Sequence, residues 1–316
     1  MRVFITAAGM VGCHAARELL DLGDEVAFFD LAPRADYIGR VVGADVPVTR
    51  GDVRELPGVL EAVQAFRPDV LIHTAGLIGG VAQQLPFRGF EINVMGTINV
   101  MEAARLSGVR RFVQASTLGV VDRSAPQLAP ITEEFQLGGN DSVYGTSKVA
   151  SEQILRAYAK HYKMELAMLR FAGVYGYGHF AGGSGVGKST WDLVAAAIAG
   201  KPGVIGSGIP DTNEMVYIKD LARGVAQAIH ADRLPHHTFN LGTGLVVTPA
   251  DVVGALQQTF PGFTAARPEG ASGSKGGGAQ ITQPFDISRA QTELGYEVRY
   301  DLVAGLRDMA DEMRKG

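Results

Sequence analysis

Through the first half of the chain, short apolar runs alternate with stretches whose apolar residues recur every three or four positions. That rhythm predicts βαβ units building a parallel sheet. Strands are expected at 2–6, 25–29, 46–49, 69–74, 111–116 and 165–170. Between the fourth and fifth, Phe87 to Ser107 sets Phe90, Val94, Ile98, Met101 and Ala104 on one helical stripe that Gly108 closes. Further helices are expected over Asp141–Tyr162 and 302–314. After Tyr175 the rhythm breaks into glycine-rich sequence up to Lys188, followed by a helix and a strand-like run at 216–218. The fold class that follows is α/β, a doubly wound parallel (Rossmann) sheet over 1–174 to which 236–261 returns. A smaller substrate-binding lobe is drawn from 175–235 and 262–316. The glycine-rich stretch Gly270–Gly278 reads as a mobile loop.

Composition narrows the function. With 316 residues, 46% hydrophobic and 20% charged, the chain can bury one main core. The formal charge of −4, from 33 acids and 29 bases without a long basic run, argues against nucleic-acid or anionic-membrane partners. No window approaches the roughly 18 apolar residues of a membrane span. The lone Cys13 rules out an internal disulfide framework and a four-thiolate zinc site, and with no leader expected before the first strand it suggests a cytoplasmic protein. His236-His237 has no Cys or carboxylate at ligand spacing, so no metal is expected.

Gly9-Met10-Val11-Gly12 falls where the first strand hands over to a helix. Unpaired N–H groups and the positive helix end can hold a pyrophosphate there, and glycine lets phosphates approach the backbone. Asp30 ends the second strand near the offset at which an acid meets the adenosine ribose. Together these predict a dinucleotide, and the carboxylate favours NAD over NADP because it repels a 2′-phosphate. Arg34 reads as a loop cation. Asp52-Val53 either flank the adenine or cap the next helix.

Tyr144-Gly-Thr-Ser-Lys148 puts a phenol and an ammonium on one helix face. The ammonium should favour the phenolate, which lets Tyr144 exchange a proton with an alcohol oxygen. One strand upstream, Ser116-Thr117 ends a buried strand with hydroxyls placed for a substrate oxygen.

With Gly9-x-x-Gly12, Asp30, Gly51-Asp52-Val53, the run from Pro68 to Gly76, Asn93-Val94-Met95-Gly96-Thr97, Tyr144-x-x-x-Lys148 and Asp286-Ile287-Ser288-Arg289-Ala290 in this order, the chain resembles an extended short-chain dehydrogenase/reductase of the NAD-dependent epimerase/dehydratase family. The resemblance implies Thr117, Tyr144 and Lys148 as catalytic. It implies that Thr74, Ala75, Gly76, Asn93, Ala115, Phe171 and Val174 join the glycine turn, Asp30, Asp52 and Val53 around NAD. Substrate contacts are expected for Thr117, Tyr144, Gly173 and Asn213 from the resemblance, and for His179 and Lys188 from their place at the glycine-rich stretch.

The departures from the family pattern also matter. Thr6 stands at the first family glycine. Gly173 replaces the Asn usual in sugar-nucleotide enzymes, Tyr177 a Pro, and Asn213 an Arg that grips the diphosphate. Thr117-Leu118-Gly119 lacks the Asp-Glu pair of dehydratases. The expected activity is therefore NAD-dependent oxidoreduction at a secondary alcohol or ketone of a small polar, acidic or sugar-derived molecule. A nucleotide-sugar 4-epimerase with tightly bound NAD is the alternative, and a non-catalytic NAD-binding regulatory module a lesser one. Gly182 to Ser189 matches the P-loop pattern but lacks a preceding strand, so it reads as pocket wall, with Lys188 facing an acidic substrate or solvent. Arg267 reads as solvated. A homodimer through a four-helix interface is expected, using Val94, Ile98, Met101, Ala150, Ile154 and Ala157.

Overall fold

The structure, a computed structural model, describes residues 1–138, 142–178, 184–206, 210–269 and 281–315. Seven strands form one parallel sheet: β1 (Arg2–Thr6), β2 (Glu25–Asp30), β3 (Val48–Arg50), β4 (Val70–His73), β5 (Arg111–Thr117), β6 (Glu165–Phe171) and, later in the chain, β10 (Thr238–Leu241). Their order is β10-β6-β5-β4-β1-β2-β3. Both faces of the sheet are covered, which is why its strands read as near-continuous apolar runs. Phe4, Leu71 and Phe112 bury into one face, and Val3, Ile5, Ile72 and Val113 into the other. The chain steps outward from β1 to β3 and then returns to place β4 on the opposite side of β1. The crevice at the carboxyl ends of β1 and β4 is therefore the switch point where such sheets bind ligands.

In chain order the helices are α1 (Met10–Asp21), α2 (Ala35–Val42), α3 (Leu56–Phe66), α4 (Gly79–Gln84), α5 (Pro86–Phe90), α6 (Gly96–Leu106), α7 (Val143–Tyr162), α8 (Gly185–Ile198), α9 (Ile218–His230), α10 (Pro249–Thr259), α11 (Ser288–Leu294) and α12 (Leu302–Arg314). The helix expected over Phe87–Ser107 is interrupted by a π-helical turn, Glu91–Met95, whose wider winding carries Asn93 into the interior. The third strand lies two residues later than expected, in register with Phe28, Phe29 and Asp30.

Beyond the sheet, β7 (Gly173–Tyr175), β9 (Asn213–Tyr217) and β11 (Val246–Val247) form a three-stranded sheet, and β8 (Gly203–Val204) pairs with β12 (Ala265–Ala266). The strand expected at 216–218 begins at Asn213 and stops at Tyr217, because Ile218 opens α9. Of the segment 236–261, β10 joins the large sheet while α10 packs on α12. Gly270–Gly278 lies outside the described residues, as does Asp141. No helix among the described residues is long and apolar enough to cross a membrane.

Candidate functional site

The glycine turn sits at the switch-point crevice. A Cβ on Gly12 would drive into the Ala7 carbonyl, so only glycine lets α1 start this close to β1. At Gly9 the same construction meets nothing within 4 Å, leaving open space above the turn and the first amides of α1. Met10 and Val11 form the first helical positions behind it. Asp30 folds back on this turn: its carboxylate accepts from the Ala8 amide (2.8 Å) and the Ala32 amide (2.7 Å). Thr6 packs as an ordinary buried strand residue, and the turn is completed by Ala7 at φ 71° and by Thr74, which donates to the Thr6 carbonyl at 2.7 Å.

Asp52 does not cap the next helix. Its carboxylate takes the Arg54 amide (2.9 Å) and guanidinium, which holds it below the usual carboxylate range, and α3 starts only at Leu56. Val53 is buried against Gly96. Arg34 pairs with Asp36.

Asn93 is fully buried and clamps Leu77 through both its amide atoms (2.7 and 2.9 Å) while donating to Ser147 Oγ (2.9 Å). Ser147 in turn donates to the Tyr144 carbonyl (2.7 Å), and Ser151 to the Asn93 carbonyl (2.8 Å). A Cβ on Gly76 would lie 3.3 Å from Asn93 Oδ1 and 3.7 Å from Lys148 Nζ, so this glycine keeps the floor open between them. Ala75 lies beside it. Thr97 donates to the Asn93 carbonyl (2.6 Å) and hence accepts from His73 Nε2 (3.1 Å), which leaves His73 Nδ1 to accept from Thr6 Oγ1 (2.7 Å). One buried chain of hydrogen bonds thus links β1, β4 and the π-helical turn.

On α7, Lys148 is buried and donates to the Ala115 carbonyl at 2.9 Å, with Nζ 6.0 Å from the Tyr144 ring centre. Tyr144 is half-buried and hydrogen-bonded to Thr117, which ends β5 and also caps the following turn through the Gly119 amide (3.1 Å). The expectation that the ammonium favours the phenolate is overridden. Burial pushes the Tyr144 pKa up to about 12, with Thr117 opposing, and pushes Lys148 down to about 8, with Glu152 opposing.

Phe171 pairs with Thr117 across β5 and β6, and Val174 follows in β7. Gly173 and Asn213 meet: a Cβ on Gly173 would lie 2.7 Å from Asn213 Nδ2, which is buried with no hydrogen-bond partner among the described residues. Lys188 is exposed and paired with Asp192, one turn along α8. Ser184 caps the helix start, its Oγ accepting from the Gly187 amide. Contrary to expectation, Arg267 is largely shielded, beside Asp211 and the Gly206 carbonyl. His179 lies outside the described residues.

The polar residues not singled out from sequence are His73, Thr97, Ser147, Ser151, Glu152 and Arg170. The readable signal was on α7, where Ser147, Lys148, Ser151 and Glu152 repeat as a polar stripe on the face turned to the sheet.

Residues 3–242 match the model of the NAD dependent epimerase/dehydratase family. The chain is 28% identical to the UDP-glucose 4-epimerase of Erwinia amylovora over 288 residues, covering 84% of this chain and 85% of the relative. It is 27% identical to that of Bacillus subtilis, covering 99% and 96%. The crystal structure of Thermus thermophilus UDP-glucose 4-epimerase in complex with NAD superposes with a TM-score of 0.84 at 26% identity, covering 99% of each chain.

Proposed function

The chain belongs to the NAD dependent epimerase/dehydratase family, and from that premise we propose that it is a nucleotide-sugar 4-epimerase acting through NAD. The observation that carries this reading is likeness over nearly the whole chain, in sequence and in fold, to UDP-glucose 4-epimerases. It displaces the small-substrate dehydrogenase that the sequence favoured. That activity remains as a second reading because Asn213 against Gly173 brings an amide, not a cation, to where a diphosphate would need charge.

NAD fits the described residues: the open space over Gly9, the cleared floor at Gly76 and the Asp30 carboxylate beside the turn form one cradle. When bound, NAD supplies the hydride acceptor and donor. Gly9, Met10, Val11 and Gly12 offer backbone to its phosphates, and Asp30 accepts from its adenosine ribose. Asn93 and Thr74 hold the floor, with Thr74, Ala75, Gly76, Ala115, Phe171, Val174 and Val53 lining it. Lys148 holds the second ribose and fixes Tyr144. Thr117 orients the substrate hydroxyl, and Tyr144 Oη takes and later returns its proton, a role that requires the phenolate which burial disfavours and which the Lys148 ammonium must stabilise when substrate and NAD are bound; the half-buried setting limits water. Gly173, Asn213 and Lys188 face the rest of the substrate.

Interconversion of UDP-galactose and UDP-glucose with no net NADH is expected. Net NADH from a small hydroxy compound, with no interconversion, installs the second reading. Tyr144→Phe should lose turnover and keep NAD binding, and full activity in that variant would sink both.

A homodimer also belongs to this reading. Phe87 (75% exposed), Phe90, Met95, Leu106 and Tyr162 leave apolar surface on α5 to α7. Val94, Ile98, Ala150 and Ile154 are half-buried beside it and Ala157 is exposed, while Met101 belongs to the intramolecular core.

A further inference from the structure

We propose that Glu152 is a positioning residue of this site: its carboxylate ties the helix bearing Tyr144 and Lys148 to the strand end bearing Thr117, and its charge keeps Lys148 an ammonium. The proposal rests on the roles given above to Tyr144 and Lys148. Glu152 is buried under the sheet ends with Arg170, at 1% and 0% side-chain exposure. Arg170 Nε donates to Oε1 (3.0 Å) and Nη2 to Oε2 (2.7 Å), a two-pronged contact. Ser116 Oγ donates to the same Oε1 at 2.6 Å. Ser116 and Arg170 are cross-strand partners, and the next pair along is Thr117 with Phe171. The carboxylate therefore lies beneath the residue pair that ends the catalytic strand, and α7 cannot slide relative to Thr117 without breaking three hydrogen bonds.

The charge acts one turn away. Lys148 and Glu152 are four residues apart, neighbours on the inner face of α7. Lys148 makes no direct ion pair among the described residues and spends a hydrogen bond on the Ala115 carbonyl. The other ionisable groups around it do not supply an anion: His73 on β4 is held neutral, Tyr144 keeps its proton, and Arg170 on β6 is a cation whose other arm reaches the Glu133 carbonyl. Burial pulls the Lys148 pKa down, and Glu152 is what raises it. Without that carboxylate the lysine faces burial unopposed, which favours the free amine.

The test is the pH dependence of NAD affinity, measured by calorimetry, with kcat/KM alongside. In the unaltered protein affinity should decline above about pH 8 as Lys148 loses its proton. In Glu152→Gln, which keeps shape and the Ser116 hydrogen bond, the decline should begin about one to two pH units lower, costing about fivefold in affinity near pH 7.5. Glu152→Asp keeps the charge and should titrate like the parent. If Glu152→Gln does not fold because Arg170 is stranded, E152Q/R170M removes both charges and keeps the packing; its decline should also begin below the parent's. A decline at the parent's pH in whichever of these two folds overturns the proposal. Tyr144→Phe separates the two layers: normal turnover there refutes the catalytic reading, whereas an unmoved affinity profile with Tyr144→Phe inactive refutes only the role of Glu152.

Discussion

Acidification should unfold this protein through two histidines that the fold keeps neutral. His73 is fully buried between Thr6 and Thr97, and burial brings its pKa from 6.5 to about 3, with Lys148 adding to the effect. His14 is buried on α1 with Nε2 on the Tyr177 carbonyl, and burial brings it to about 4. A lowered histidine pKa means that the unfolded chain binds the proton first. Stability is therefore whole above pH 6.5 and is lost as pH falls toward 4 and then 3. At about pH 5 each histidine should cost about 2 kcal/mol relative to neutral pH, about 4 kcal/mol together. Buried carboxylates with raised pKa, such as Glu214 and Asp220, work in the opposite direction over part of this window, so the comparison must be between variants. Guanidinium unfolding of the parent, His73→Gln and His14→Gln at about pH 7.5 and pH 5 isolates each share. Each variant should lose stability at the higher pH, yet decline by about 2 kcal/mol less than the parent between the two. An equal decline in parent and both variants would refute the argument.

Other outcomes follow from close approaches and exposed surface. Gly12→Ala must push the turn away from the Ala7 carbonyl, and calorimetry should show NAD affinity reduced by about tenfold or more. Gly173→Ala crowds Asn213 Nδ2 and the Glu214 carbonyl and should cost about 1–3 kcal/mol in denaturant unfolding. Asn213→Ala should recover part of that in the double variant, and strict additivity would deny the contact. Light scattering should give twice the 33.4 kDa chain mass, falling to one chain in Phe87→Asp; a monomer in the parent would remove the dimer.

The parallel sheet was legible because its strands are buried on both faces, which leaves unbroken apolar runs such as Val3-Phe4-Ile5 and Val70-Leu71-Ile72. The segments outside that sheet were less so. Strands of two residues, Gly203–Val204 and Ala265–Ala266, are too short to carry a period, and their pairing joins segments about sixty positions apart. The π-helical turn at Glu91–Met95 also escaped, because periodicity registers a helix but not one widened turn within it. The glycine turn between β1 and α1 and the shared helix of Tyr144 and Lys148 could be read from spacing, whereas the pairing of Asp52 could not. Its partner Arg54 is two residues away, and nothing in the sequence ranks that local fork above a ligand or a helix cap.

Gly173 and Asn213 change meaning once they are seen together. Read separately along the chain, they are two losses from a diphosphate site. In the structure they are one adjustment: Asn213 occupies space that any side chain at 173 would need, and the glycine is what admits the amide. Among the described residues the Asn213 Nδ2 atom then lies buried without a partner, an arrangement that costs about 1–3 kcal/mol when left unmade and that an acceptor oxygen would repay. A neutral donor contributes less than a guanidinium to a diphosphate, so if the substrate is a nucleotide sugar, more of its binding must come from elsewhere, with Lys188 on α8 and Arg267 beside Gly206 the cations to test. Replacing Arg267 should therefore weaken UDP-sugar binding more than replacing Asn213, and the reverse order would mark Asn213 as the contact that selects an uncharged substrate.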